Sequence, residues 1–145
     1  MRIAVSTDML KGVAEPLVAR LEAGGHEVLK FGAYDPASRT DWAWGSEAAA
    51  RAVADGQADQ GVVCCWTGTG ASIAANKVRG VRAALCGDPE TAEGARKWND
   101  ANVLALSLRL TSEPLLDEIL AAWFAASPSK DAGDAANVAH VDQIA

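Results

Sequence analysis

Cys65 is the residue on which the chemistry of this chain turns. It closes a short apolar run, Gly61 to Cys64, and is followed by Trp66-Thr67-Gly68-Thr69-Gly70 and then by the small residues Ala71 to Ala75. A strand, a tight glycine turn and a helix start, in that order, aim several backbone N–H groups and the positive end of a helix dipole at one spot. Gly68 and Gly70 permit the sharp bend and a close backbone approach. A thiol in that setting has its thiolate stabilised, which suits a nucleophile or a proton-abstracting base. The same donors stabilise negative charge developing on a substrate oxygen. The spacing alone is equally compatible with a small buried cysteine at a strand end.

Other residues stand where ligands collect in open parallel sheets, just past strand ends. Asp8 follows the run Arg2 to Ser6 and either meets a ligand or caps the next helix. Arg109 follows Val103 to Ser107 and either binds an anion or forms a surface ion pair of little weight. Cys86, at the end of Val81 to Cys86, reads as a core cysteine. Trp42 and Trp44 fall in the connection Gly32 to Trp44 and need the core, a second subunit or a ligand to cover them. His26 and His140 are far apart and have no metal-ligand spacing with the cysteines, so no metal is expected.

These residues must be positioned by one domain. The 145 residues suffice for a single core, half of them hydrophobic and 22% charged. With 13 basic and 19 acidic residues the net charge is −6, and no basic stripe invites nucleic acid or an anionic membrane. No apolar run approaches membrane-spanning length, and MRIAVSTD reads as a first strand rather than a signal peptide. Three cysteines, two of them adjacent, make no disulfide framework and fit a reducing cytoplasm.

Periodicity supplies the elements. Strands are expected at Arg2–Ser6, His26–Phe31, Gly61–Cys65, Val81–Cys86 and Val103–Ser107. Helices are expected at Leu10–Ala23, at Ser46–Asp55 with Ser46 as N-cap, after Gly70, at Pro89–Trp98, and at Glu113–Ala125 capped by Ser112. The alternation predicts an α/β fold: a Rossmann-like three-layer α/β/α sandwich around a five-stranded parallel sheet. Residues 1–145 form one domain. The polar stretch 127–145 ends in Val138-Val141-Ile144, a short helical pattern expected to dock on a second subunit.

Several motifs together resemble the ribose-5-phosphate isomerase B / galactose-6-phosphate isomerase family. They are Cys65 to Lys77, the following Gly80-Val81-Arg82-Ala83-Ala84-Leu85, Asn99 to Leu104, and Leu106 to Arg109. The resemblance implies an aldose–ketose isomerase without metal or cofactor, forming dimers or dimers of dimers with active sites at the interface. It implies that Cys65 moves a proton between C1 and C2 of an open-chain sugar or sugar phosphate, with Thr67 beside it. The amides of Trp66, Gly68, Thr69 and Gly70 would hold the enediolate, and Asp8, Asn99 and Arg109 the substrate.

The departures from the family pattern are specific. Met9 replaces a ligand-binding histidine, Trp98 replaces the ring-opening histidine, and Trp66 replaces a glycine. Asp41-Trp42-Ala43-Trp44 stands where the family has a different loop, and Asn137 to Asp142 lacks its phosphate-binding arginines. Met9, Trp42 and Trp98 are therefore expected to line an altered pocket. The expectation is an isomerase of altered specificity; the alternative is a sugar-binding or regulatory relative without catalysis.

Overall fold

The structure is a computed structural model describing residues 1–144. Strands and helices alternate: β1 (Arg2–Thr7), α1 (Ala14–Ala23), β2 (Glu27–Gly32), α2 (Trp42–Ala54), β3 (Gln60–Cys65), α3 (Thr69–Ala75), β4 (Ala83–Leu85), α4 (Pro89–Asn99), β5 (Val103–Ser107), α5 (Glu113–Ala125) and α6 (Ala132–Val141). All strand pairings are parallel and the order across the sheet is β2-β1-β3-β5-β4. The three central strands are almost wholly buried, as a sheet covered on both faces requires. Chain order reverses between β1 and β3, so the crevice for a ligand opens at their C-terminal ends.

The two faces of the sheet are packed differently. Ile3, Val5, Val62, Leu104 and Leu106 meet Leu17, Leu116, Ile119 and Trp123 in an aliphatic core. Trp123 is fully buried and satisfies its indole N–H on Gln60 Oε1 at 2.8 Å. The opposite face is built from alanine and valine: Ala4, Val63 and Ala105 pack with Ala49, Ala50, Ala71 and Ala75, which lets α2 and α3 lie close. Because side chains alternate along a strand, Cys64 enters the aliphatic side and Cys65 the alanine side.

The Rossmann-like sandwich and its five parallel strands are as the sequence implies, with some boundaries moved. Helix α1 begins at Ala14 rather than Leu10, because Gly12 has φ +57°, outside helical geometry. Helix α2 begins at Trp42, so Trp42 and Trp44 lie in its first turn and not in a loop. Ser46 is then a buried interior residue instead of the N-cap, a place taken by Asp41. Gly45, inside the first turns of α2, lets the helix pack against Gly32, where an added Cβ would meet Cα at 3.3 Å. Strand β4 is only three residues long, since Asn76 and Asn102 side chains take the amides of Ala83 and Arg82. The C-terminal helix runs from Ala132, capped by Asp131, and ends before Ile144. Residue 145 of the expected tail lies outside the described residues.

Candidate active site

The end of β3 is held in the middle of the sheet. Cys65 pairs in register with Ser107 of β5, and its carbonyl accepts from Leu108 N at 3.0 Å. The next carbonyl, of Trp66, accepts from Arg109 N at 3.0 Å and from Ser107 Oγ at 3.1 Å. On the other side, Thr7 of β1 pairs with Cys64. One residue further on, Asp8 and Cys65 leave neighbouring strands side by side, with strand axes about 4.8 Å apart. The reversal of strand order thus places Asp8, Cys65 and Arg109 along one edge.

The turn after Cys65 needs glycine. Gly68 has φ +77°, and a Cβ there would lie 2.6 Å from Leu85 Cδ1 and 2.8 Å from the Leu106 carbonyl carbon. Gly70 lies under the ring of Trp42, whose Cε3 would be 2.9 Å from a Cβ. The hydroxyls of Thr67 and Thr69 are 2.7 Å apart and share a hydrogen bond. Among the described residues, the amides of Thr67, Gly68, Thr69 and Gly70 take no protein acceptor, while Ser72 N already closes the first turn of α3 on Gly68 O. Four unpaired donors therefore cluster beside Cys65, a residue 5% exposed.

Asp8 does not cap α1, whose N-cap position is Val13, without a side-chain hydrogen bond. Its Oδ1 is buried with no partner among the described residues, and burial pushes the carboxyl above the ordinary carboxylate range. Met9 is drawn back by hydrogen bonds between its backbone and Thr7 Oγ1, and its side chain leans on the aliphatic core. Arg109 is exposed and makes no ion pair among the described residues. Trp98 and Asn99, at the end of α4, stand further off, across Leu85 from Gly68. They line a groove of about 590 Å³ between the end of β4 and α4, with Asp88 and Glu90 on its wall. The Trp98 ring folds back over Gly94 and stays 52% exposed.

The other thiols are core residues. Cys64 is fully buried and pushed up by burial, and Cys86 is pushed up to about 11 by burial and then by Asp88. Sequence reasoning missed Ser107, the polar end of an otherwise apolar strand, which anchors the turn. It also left unexplained the asparagines around β4. Asn76 brackets the Ala83 backbone with two hydrogen bonds, and Asn102 bridges Arg82 N and Gly80 O. Both brace the sheet edge.

A doubly wound α/β protein with a cysteine and unpaired amides at its switch point is the frame of an enzyme that handles a small anionic intermediate. Comparison with known proteins makes this specific. The ribose/galactose isomerase family model matches residues 3–144. Ribose-5-phosphate isomerase B of Escherichia coli is 42% identical over 110 residues, covering 76% of this chain and 73% of that protein. D-erythrulose-4-phosphate isomerase of Pectobacterium atrosepticum is 47% identical over 74 residues, about half of each chain (51% and 49%). The structure of Clostridium thermocellum ribose-5-phosphate isomerase B superposes with a TM-score of 0.89 at 35% identity, over 99% of this chain and 97% of that one. The chain belongs to the ribose/galactose isomerase family, and it is an aldose–ketose isomerase.

Proposed function

We propose that Cys65 is the base that moves a proton between C1 and C2 of an open-chain sugar or sugar phosphate. The thiolate takes the C2 proton of the aldose, and the C2–H electron pair forms the C1–C2 double bond of an enediolate as the C1 carbonyl electrons move onto O1. The proton returns to C1, and a proton passes from O2 to O1, for which the paired Thr67 and Thr69 hydroxyls are placed. The unpaired amides from Thr67 to Gly70, with Trp66 leading into the turn, hold the enediolate oxygens. Asp8, Asn99 and Arg109 bind the rest of the substrate, Met9 borders the crevice from the core side, and Trp42 and Trp98 line the approach. The observation that carries this reading is the cluster of unpaired turn amides beside Cys65.

A homodimer, or a dimer of dimers, with the site at the interface fits the surface of the single chain. Helix α6 buries none of its residues, and Trp42, Trp66 and Trp98 are each about half exposed. No helix is long and apolar enough to cross a membrane among the described residues. Three free, buried thiols suit a reducing cytoplasm.

The test is proton NMR in D₂O with aldoses and ketoses, following deuterium entry at C1 and C2. Native protein should catalyse exchange, and Cys65→Ala should lose it by about 10²-fold or more. Exchange that persists in the variant sinks Cys65 as the base. Saturable sugar binding without exchange in the native protein points to a binding relative instead.

A further inference from the structure

We infer that the substrate of this site is an unphosphorylated sugar, held by indole faces instead of cations. The inference rests on the isomerase reading above and narrows it. Five loops form the edge where the crevice opens: residues 8–13, 33–41, 66–68, 86–88 and 108–112. Their cations are Lys11, Arg39 and Arg109, three against the four acids Asp8, Asp35, Asp41 and Asp88, for a net charge of −1. Arg39 is not free, since it pairs with Asp41 and lies over the Trp44 ring at 3.6 Å. The first helical turns behind these loops add Glu15, Glu90 and Glu113 and no lysine or arginine.

A terminal phosphate brings close to two negative charges to this edge. The unpaired amides that suit an anion adjoin Cys65, where the reacting end of the sugar and its enediolate must lie. The far end then meets Lys11 and Arg109 against a negative background. A second copy of the chain that covered the site with its exposed α6 would add Asp134 and His140, again no lysine or arginine.

Aromatic surface replaces the missing charge. Trp66 directly follows the base and is 49% exposed, although its backbone is fixed by the bonds to Arg109 and Ser107. Trp98 walls the adjoining groove opposite Leu85. An indole offers the C–H face of a sugar a large apolar contact and leaves the hydroxyls to Asp8 and Asn99.

Matched pairs of four- to six-carbon aldoses and ketoses, each free and as its terminal phosphate, test this by deuterium exchange in D₂O. The best substrate should be a free sugar, preferred over its own phosphate by about tenfold or more in kcat/KM, with little dependence on salt. Trp66→Ala should lower kcat/KM for the free sugar by about tenfold or more, with the larger part of the loss in KM. A phosphate that outruns its free sugar, with kcat/KM falling as salt rises, overturns the inference while the isomerase reading stands. If neither member of any pair exchanges, the isomerase reading fails instead. Tryptophan-fluorescence titration with the same pairs then decides what the site holds: tighter binding of the phosphate overturns the inference, and tighter binding of the free sugar keeps an unphosphorylated ligand but overturns its being a substrate.

Discussion

The carbonyl of Trp66 accepts the backbone N–H of Arg109 at 3.0 Å, which makes the turn after Cys65 a continuation of the β3–β5 ladder. The turn is therefore positioned by the sheet and not by its own short helix. Ser107 adds a second bond to the same carbonyl, from Oγ at 3.1 Å, and also accepts from Leu110 N at 3.3 Å. A loop anchored at one carbonyl by two donors holds its following amides in a fixed direction, as an oxyanion site needs.

Ser107→Ala removes one of these anchors without touching substrate. The expected cost is about 1 kcal/mol in stability, that of one neutral hydrogen bond. Turnover should fall by about tenfold with KM little changed, because the turn amides lose alignment where the enediolate forms. Steady-state kinetics beside urea unfolding would check it. An unchanged kcat would show that the Arg109 bond suffices alone.

Gly68→Ala and Gly70→Ala should differ sharply although both lie in one turn. At Gly68 the left-handed backbone and the immovable Leu106 carbonyl both resist a side chain, at an expected cost of about 2–3 kcal/mol. At Gly70 the obstacle is the edge of the half-exposed Trp42 ring, which can swing away, so the cost should stay under about 1 kcal/mol. Chemical denaturation of the two variants separates these values. Equal losses would mean that Trp42 is as fixed as the strand.

The outline of the fold was legible because its signals are local and repeated: apolar runs for strands, Ser112 before Glu113, and Pro89 opening α4. What misled was tertiary. Trp42 and Trp44 read as loop residues and Ser46 as the cap, yet α2 starts at Trp42, where the missing side chain of Gly45 brings it against Gly32. Asp8 reads as a cap, but Gly12 delays the helix until the carboxylate is out of reach. The site was legible at Cys65 and its turn, where chemistry and sequence are contiguous. Ser107 was not, since only strand register brings it beside Cys65.

Arg82 joins three segments around Asn99. Its Nε donates to Asp100 O at 2.8 Å, and its guanidinium pairs with Asp100 and with Asp142 beyond α6. Asp100 has φ +44°, a strained position for a residue with a side chain, and Arg96 pairs with it as well. Arg82→Met keeps the aliphatic stem and removes the charge. The loss should be about 1.5–3 kcal/mol in stability, with a lower kcat/KM as Trp98 and Asn99 drift. Arg82→Lys should restore little, because an ammonium cannot reproduce the planar fork. Full recovery in the lysine variant would mean that charge alone holds the turn.

Asp8 carries a testable pH dependence. Its carboxyl is held above the ordinary range by burial, against a weaker opposing hydrogen bond from its own backbone. Folding then disfavours the ionised form, so the penalty is absent below the unfolded value of about 3.9, where both states are protonated. It grows as pH rises past that value, and levels off once the folded group has ionised too. Asp8→Asn carries no such penalty. Its Tm should match the native protein near pH 3.5 and exceed it at pH 7 by at most about 3 °C. Activity should move the opposite way, falling by about 10²-fold if the carboxylate accepts substrate hydroxyls. Thermal unfolding of both proteins across that range checks the sign. An asparagine variant less stable than the native protein at pH 7 would show that Asp8 Oδ1 has found a partner in solution, and that its place at the crevice is structural.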